Sequence, residues 1–334
     1  MIKTLAKSVR EYKKPSILTA VFVSLEVVLE CLIPFVIARL VNQLKAGCAL
    51  GTIVQYGIVL IAMAGVSLSM GALAGSYCAT ASCGFAKNLR HDLFGQVQNF
   101  SFENIDKFST SSLVTRLTTD VANVQMAYMM IIRMAIRAPL MLIFAFTMAF
   151  LMGGKMAYIF VVVVPLLGGG LYWMIKKAMP LFRKVFVKYD NLNNSIQENI
   201  KGMRVVKSFV REDYEKKKFD AAASDICADF TQAERIMSLN GPLMQSCMFT
   251  VMLFVLYFGS YLIISSMGAK ADVGQLSSML TYSFQILTSL MMVAMVLVML
   301  VMAEESAERI AEVLTEQSSI REPEHPVREV ADGS

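Results

Sequence analysis

Six long apolar stretches, separated by polar segments, run through the 334-residue chain. The hydrocarbon core of a bilayer is about 30 Å thick, and about 20 helical residues cross it. Each apolar stretch is at least that long, so the pattern predicts an all-α membrane protein with six long transmembrane helices. The expected spans are approximately residues 15–44, 52–83, 126–152, 156–178, 243–267 and 276–303.

Two connections between the spans, residues 84–125 and 179–242, are long and carry 28 of the 57 charged residues of the chain. In the first, apolar residues recur every three to four positions from Leu89 onward, which indicates an amphipathic helix that leaves the membrane. A polar stretch at residues 101–112 breaks this pattern, and its serines suit a helix cap. Both connections are therefore predicted to be cytoplasmic helical extensions with short exposed tips.

The tip of the second extension carries an apolar patch. Pro180 is expected to kink or end a helix of this extension, and Gly202 interrupts the helical pattern again. Beyond Gly202, four apolar residues stand close together: Val205, Val206, Phe209 and Val210. Such a patch is costly to expose to water, so a surface that docks a partner is favoured over ordinary loop packing.

The distribution of basic residues sets the expected topology. The chain carries 31 Lys and Arg against 26 Asp and Glu, a formal net charge of +5. The basic residues collect before the first span and in the two long connections, and such residues mark the cytoplasmic side of a membrane protein. We therefore expect a multi-pass protein of the cell (inner or cytoplasmic) membrane with both termini in the cytoplasm. This topology explains the positive charge without a nucleic-acid partner.

The cysteines and histidines do not indicate a reactive centre. Several of the six cysteines fall in apolar segments, where a thiol is expected to pack as a small hydrophobic side chain. His91 and His325 are the only histidines, and neither has a catalytic neighbourhood in the sequence. No metal site and no catalytic residue is predicted in this chain, which argues against an integral-membrane enzyme.

Two carboxylates, Glu26 and Glu30, lie four residues apart within the first predicted span. This spacing places them on one face of a helix, and carboxylates inside a membrane rarely face lipid. One interpretation is ionic pairing with Arg133 or Arg137 of the third span. The other is a polar site in a translocation cavity that attracts cationic amphiphiles, and the two do not exclude each other. All four residues are therefore candidates for a substrate cavity.

Methionines are frequent in the sixth predicted span, where Met291, Met295 and Met299 recur at helical spacing. Thioethers adapt to apolar ligands of varied shape, so these side chains are further candidates for the lining of the cavity. Packing inside a helix bundle explains the same pattern equally well.

Several motifs occur in a specific order relative to the spans. They read S-L-x-x-R-L-x-x-D-V at residues 112–121, E-x-x-x-G-x-x-x-V-K-x-F at 198–209 and E-S-A-x-R-I at 305–310. With these motifs the chain resembles the transmembrane domain of an ABC exporter over about residues 1–330. The segment R-x-x-x-R-A-P-L at 133–140 resembles, more narrowly, one half of bacterial heterodimeric multidrug exporters.

In ABC exporters the two loop tips are coupling helices that sit in grooves of nucleotide-binding domains. The resemblance implies that these contacts are made here by Asn104, Ile105, Asp106, Lys107 and Phe108 in the first tip, and by Gly202, Val205, Val206, Lys207 and Phe209 in the second. It also implies that ATP and Mg bind in the nucleotide-binding domain, and that this chain itself holds no cofactor.

Members of this family continue into that domain, whose phosphate-binding loop has the pattern G-x-x-x-x-G-K-[ST]. No such pattern occurs in these 334 residues. We expect residues 1–316 to form the six-helix transmembrane domain and residues 317–334 to be a linker toward the nucleotide-binding domain. That domain is either a separate subunit or, as we favour, a part of the same gene removed by truncation. This chain alone is not expected to hydrolyse ATP.

The implied function is export of hydrophobic or amphipathic drugs by alternating access. The expected partners are the nucleotide-binding domain, a second transmembrane half that forms a heterodimer with this one, an amphipathic small-molecule substrate and the lipid bilayer. Export of a lipid or a peptide by the same fold is the main alternative. A membrane scaffold or receptor, which would use the extensions only to bind a cytoplasmic partner, is a further alternative.

Overall fold

The computed structural model describes residues 2–266 and 271–318, and these residues contain helices and no strand. The predicted all-α fold is therefore confirmed. The helices are α1 (Ile2–Ala6), α2 (Lys13–Lys45), α3 (Leu50–Gln98), α4 (Phe102–Phe108), α5 (Thr110–Thr115), α6 (Val121–Gly153), α7 (Tyr158–Lys201), α8 (Met203–Ser208), α9 (Glu212–Met237), α10 (Asn240–Ser265) and α11 (Val273–Thr315). Short 3-10 turns at Lys7–Tyr12 and Gly154–Ala157 and a π-helical turn at Arg116–Asp120 connect some of them.

In the described part of the chain, five helical stretches are long and apolar enough to cross a membrane, judged by length and composition. Three of them contain the predicted first, second and sixth spans, and Glu212–Ser265 contains the fifth as far as residue 265. The other stretch, Thr110–Lys201, contains both the third and the fourth, because the short 3-10 turn Gly154–Ala157 joins the end of α6 directly to the start of α7. Gly154, with a φ of 49°, departs from helical geometry at this turn. The number of six spans thus stays a prediction. Residue 267, the last of the fifth predicted span, lies outside the described residues.

Contacts divide the chain into two compact units, Met1–Phe144 with Met291–Ser334 and Ala145–Leu290. In the first unit, one apolar core gathers residues from α1, from the C-terminal half of α3, from α4 and α5, from the start of α6 and from α11. Its buried members are Leu5, Phe85, Ala86, Leu89, Leu93, Phe108, Leu113, Val121, Val124, Ala307, Ile310 and Val313. Burial of Leu89 and Leu93 confirms the amphipathic helix that the sequence predicts after the second span.

In the second unit, α7 and α9 pack side by side. Lys188 on α7 lies 2.6 Å from Asp229 on α9, and the Phe182 ring meets the Phe230 ring edge-on with centroids 5.9 Å apart. Pro180 was expected to kink or end a helix; an end at Pro180 is wrong, because α7 continues through it, and a kink there stays a prediction. A proline inside a helix removes one backbone hydrogen bond, and the contacts with α9 begin directly after it. These tertiary contacts hold α7 helical beyond the proline.

Candidate functional site

Three charged residues from α2 and α6 form an ion-pair cluster in the first unit. Arg137 Nη1 lies 2.7 Å from Glu26 Oε1, and Arg137 Nη2 lies 2.8 Å from Glu30 Oε2. The four-residue spacing of the acids places both on one face of α2, where the fork of a single guanidinium reaches them. The side chains of Glu26 and Glu30 are 12% and 28% exposed. The predicted pairing with an arginine of the third span is confirmed for Arg137.

Helix α3 approaches this cluster with two glycines, Gly71 and Gly75, one helical turn apart. A Cβ atom at Gly71 would lie 2.9 Å from Glu26 Oε1, which is closer than real side chains approach. A Cβ atom at Gly75 would lie 3.6 Å from Arg133 Nη1. Small residues let membrane helices pack closely, and here they also leave space beside two charged groups.

The remaining cavity candidates lie in different surroundings. Arg133, one turn before Arg137 on α6, forms no ion pair within the described residues. Met291 and Met295 on α11 are exposed, and Met299 is half-buried. That these side chains line a translocation cavity stays a prediction. Among the residues that the structure describes, no group of three or more His, Cys, Asp or Glu could hold a metal ion.

The tip of the first extension is helix α4, which forms where the sequence predicts a polar break. A capping box starts it: the Ser101 hydroxyl accepts from the Asn104 backbone N–H, and the Asn104 side chain accepts from the Ser101 N–H. Phe108 stacks on Phe100, with ring centroids 5.7 Å apart. Asn104 and Phe108 are each only 5% exposed. The prediction of an exposed tip is therefore wrong for these two side chains, which pack inward.

The residues directly after α11 hold this tip. Asn104 Nδ2 donates a hydrogen bond to Glu316 Oε1 at 3.2 Å, and Lys107 Nζ lies 2.9 Å from Glu316 Oε2. The hydrogen bond from Lys107 lowers the pKa of Glu316 below its usual value. The outward side of α4 carries Phe102 and Asp106, both exposed. A partner that docks on this tip would therefore meet Phe102 rather than Phe108.

The tip of the second extension is helix α8 with the residues that follow it. Val205, Phe209 and Val210 are 61%, 73% and 81% exposed. Val206 is less exposed and lines a groove of about 600 Å³ together with residues of α7 and α9. The predicted apolar patch thus lies on the surface, and its use for docking stays a prediction.

Val210 has an unusual backbone conformation, with φ at 50°. A β-branched residue rarely adopts this left-handed region, and such strain costs about 1–3 kcal/mol. Two backbone hydrogen bonds define the turn: Val210 N–H donates to Lys207 O at 3.2 Å, and Arg211 N–H donates to Val206 O at 3.0 Å. This turn ends α8 and leaves the apolar side chains of Phe209 and Val210 exposed.

A buried carboxylate that was not predicted as a site residue, Asp120, lies in the π-helical turn before α6. Arg309 on α11 donates to it twice, from Nη2 at 2.6 Å and from Nε at 2.9 Å, and the Ser306 hydroxyl donates at 2.9 Å. Burial by itself raises the pKa of Asp120, but the hydrogen bonds from Arg309 and Ser306 outweigh it and hold this pKa below its usual value. Asp120 lies in the motif at residues 112–121, and Ser306 and Arg309 lie in the motif at residues 305–310. A pairing of these two motifs was therefore the sequence signal from which this contact could have been predicted.

These observations define a multi-span helical membrane protein with two polar extensions, one of which ends in an exposed apolar tip. In a comparison with protein families, residues 16–301 match the ABC transporter transmembrane region. The chain belongs to this family. The family that the sequence motifs indicated is thereby confirmed.

Curated relatives agree with this membership. An uncharacterized ABC transporter ATP-binding protein of Bacillus subtilis is 30% identical over 297 residues, which cover 89% of this chain and 51% of the relative. Another, of Mycobacterium tuberculosis, is 28% identical over 329 residues, which cover 98% of this chain and 56% of the relative. An ATP-dependent lipid A-core flippase of Aromatoleum aromaticum is 27% identical over 215 residues, 63% of this chain and 34% of the relative. The chain thus spans about half the length of the first two relatives.

Proposed function

We propose that this chain is the substrate-translocating transmembrane domain of an ATP-driven exporter that works by alternating access. The apolar surface of Val205, Phe209 and Val210 carries the proposal, because an exposed patch of this kind outside the spans calls for a protein partner. The first two relatives are named as ABC transporter ATP-binding proteins and are longer than this chain. Their names support a nucleotide-binding domain as the partner, either in the same polypeptide or as a separate subunit.

In this mechanism, closure of two nucleotide-binding domains on ATP moves the tips, and the extensions pass the movement to the spans. Contacts of the extensions suit them for this task. The ion pair of Lys188 with Asp229 joins α7 to α9, and the ion pair of Lys107 with Glu316 joins α4 to the end of α11. Transport of this kind involves no covalent step, so this chain supplies binding and movement and no catalytic group. ATP and Mg belong to the nucleotide-binding domain.

The proposed topology follows from the charge distribution. Both termini lie in the cytoplasm and the protein resides in the cell membrane, because the basic extensions stay on the cytoplasmic side. Residues 1–316 form the transmembrane domain, and residues 317–334 lead toward the nucleotide-binding domain; of these, 319–334 lie outside the described residues. A second transmembrane half completes the cavity, and pairing around a two-fold axis is the common arrangement of such assemblies.

The proposed substrates are amphipathic small molecules. A charged cluster at Glu26, Glu30 and Arg137 between apolar helices supports this class, since a polar group and an apolar body both find partners there. Lipid export is the second candidate, and two relatives named ATP-dependent lipid A-core flippases favour it, at 27% and 26% identity.

Phe209→Asp is expected to uncouple the assembled transporter. Aromatic hot spots of protein interfaces contribute about 2 kcal/mol or more, a factor of about 30 in affinity, so substrate-stimulated ATP hydrolysis should fall by about thirtyfold or more. Protein yield and membrane insertion should not change, because the Phe209 side chain is 73% exposed in this chain. The measurement is ATPase activity of the purified full assembly with and without substrate.

Two matched variants control this experiment. Phe209→Leu keeps an apolar side chain and should retain most of the coupling. Tyr189→Asp introduces the same charge at another exposed aromatic residue, on α7 and away from the tip, and should leave coupling intact. Full substrate stimulation in Phe209→Asp would remove the docking assignment.

A further inference from the structure

A groove of about 350 Å³ lies between α7 and α10, both in the second unit. Its lining includes Gly170 and Trp173 on α7, and Leu243 and Ser246 on α10. The lining is apolar apart from the Trp173 indole N–H and the Ser246 hydroxyl. A Cβ atom at Gly170 would lie 2.8 Å from Leu243 Cδ2, so the two helices meet closely at this glycine. An apolar groove of this size suits part of an acyl chain.

The groove lies at the membrane boundary of the proposed spans. Trp173 is near the end of the fourth span, and Leu243 begins the fifth. Tyr172 and Trp173 are 67% and 52% exposed, and both residue types are enriched where a membrane meets water. Lys176 and Lys177 follow within about one helical turn. This order of aromatic and then basic residues places one end of the groove at the level of the lipid head groups.

Two basic residues lie one helical turn beyond the lining, each on the side of its helix that carries the groove. Lys177 follows Trp173 by four residues on α7, and residues at this spacing are neighbours on a helix face. Arg235 on α9 precedes the lining residue Leu239 by four. Ser238 and Leu239 keep helical backbone angles, so the register of α9 carries into α10. Each wall of the groove thus continues into a cation at the head-group end.

The charge at this end of the groove is positive. Lys176, Lys177 and Arg235 are exposed and form no ion pair within the described residues. Glu234 is the only acid within five residues of any of them in the sequence, which leaves three basic residues against one acid, a net charge of +2. Basic sites between membrane helices on the cytoplasmic side bind anionic lipid head groups. The groove and its charges therefore complement an anionic phospholipid better than a neutral one.

We infer that this groove holds an acyl chain of an anionic phospholipid, and that Lys177 and Arg235 bind its phosphate. The acyl chain covers apolar surface of both helices, and the phosphate compensates the positive charge at their ends. A lipid bound in this way joins α7 to α10 at the cytoplasmic side of the membrane. The inference goes beyond the proposed function, because the lipid is a resident partner and not the exported compound. Of the proposals above it uses only the topology.

Trp173 is the only tryptophan of this chain and lines the groove, so its fluorescence reports on what the groove holds. The full assembly is reconstituted without ATP in phosphatidylcholine vesicles that contain a rising fraction of phosphatidylglycerol with brominated acyl chains, which quench tryptophan on contact. The same assembly with Trp173→Phe gives the signal of all other tryptophans, and the difference isolates Trp173. Quenching should exceed that by brominated phosphatidylcholine at the same mole fraction, because the site selects the anionic lipid.

Three variants and one control separate the charges from the groove. Lys177→Gln and Arg235→Gln should each lower the preference for phosphatidylglycerol over phosphatidylcholine about fivefold, the contribution of one basic residue near an anionic head group. Ser246→Phe fills the groove and should lower quenching by both lipids. Lys217→Gln is the matched control: Lys217 is exposed as well but lies about 27 Å further along α9 from Arg235, so the preference should not change.

Four results would overturn the lipid site. The first is equal quenching of Trp173 by the two brominated lipids, and the second is an equal loss of preference in Lys217→Gln and Lys177→Gln. The third is no quenching by either lipid, which would show that protein covers the groove. The fourth is unchanged quenching in Ser246→Phe with the melting temperature of the wild type. Selective quenching without ATP-driven export of any amphiphile would keep the lipid site and reject the proposed function, whereas export with unselective quenching would do the reverse.

Discussion

Replacing both Glu26 and Glu30 with Gln is expected to destabilise the protein by about 3–5 kcal/mol, the cost of removing the partners of a buried charge. Arg137 lies 2.7 Å and 2.8 Å from the two carboxylates and is largely buried, so the double variant leaves its guanidinium without a counterion. Gln keeps the size of each side chain and changes its charge, which restricts the effect to electrostatics. Thermal unfolding of the purified protein in detergent measures the loss.

A triple variant separates stability from substrate recognition. Adding Arg137→Gln to the double variant removes the stranded cation and should restore most of the melting temperature. If the acids also attract cationic amphiphiles, the triple variant should still export a cationic compound poorly and a neutral compound normally. An unchanged melting temperature in the double variant would contradict the structural role of the cluster. Equal export of both compounds by the triple variant would contradict its role in the cavity.

Asp120→Asn is expected to lower the free energy of unfolding by about 1.5–3 kcal/mol, the contribution of a hydrogen bond to a charged group. Asp120 is fully buried, whereas the Arg309 side chain is 39% exposed and can regain water. The loss is therefore expected to be smaller than in the intramembrane cluster. Glu305→Gln is the matched control: Glu305 also pairs with Arg309 but is 79% exposed, and such surface pairs contribute about 0–1 kcal/mol.

The effect of Asp120 should depend on pH in a defined direction. Its pKa is lowered in the folded protein, so its stabilisation is fully present above the unfolded value of about 3.9 and is lost as pH falls through the folded value. The difference in stability between the wild type and Asp120→Asn should therefore shrink below about pH 4 and stay constant above it. A difference that persists unchanged into acid would show that the carboxylate charge is not the source of the stability.

The helices and the intramembrane ion pair could be predicted from local sequence. Apolar stretches of sufficient length mark the long helices, and the four-residue spacing of Glu26 and Glu30 places both on one face regardless of the rest of the fold. The sequence offered Arg133 and Arg137 of another span as counterions, and the structure selects Arg137. The long helices and the shared face of the two carboxylates depend only on the periodicity and charge of a single segment, which can be read directly from the sequence.

The inward packing of the first tip and the buried Asp120 contact could not be predicted in the same way. Asn104 pairs with Glu316, and Asp120 pairs with Arg309, across separations of 212 and 189 residues. A polar, serine-rich segment favours a turn, whereas contacts with the residue after α11 and with Phe100 bury Asn104 and Phe108 on the inward side of the helix that forms there. The continuation of α7 through Pro180 depends likewise on contacts with α9, which outweigh the local effect of the proline.

ATP-dependent uptake into inside-out membrane vesicles tests the proposed export function most directly. Vesicles that contain this chain together with its nucleotide-binding domain and second transmembrane half should accumulate a labelled amphipathic compound with ATP and Mg and not with ADP. The same vesicles with Phe209→Asp should show little accumulation while containing equal amounts of protein. Uptake that is equal with ATP and ADP, or no uptake of any amphiphile by a folded assembly that hydrolyses ATP, would contradict the proposal that this chain is the translocating domain of an ATP-driven exporter.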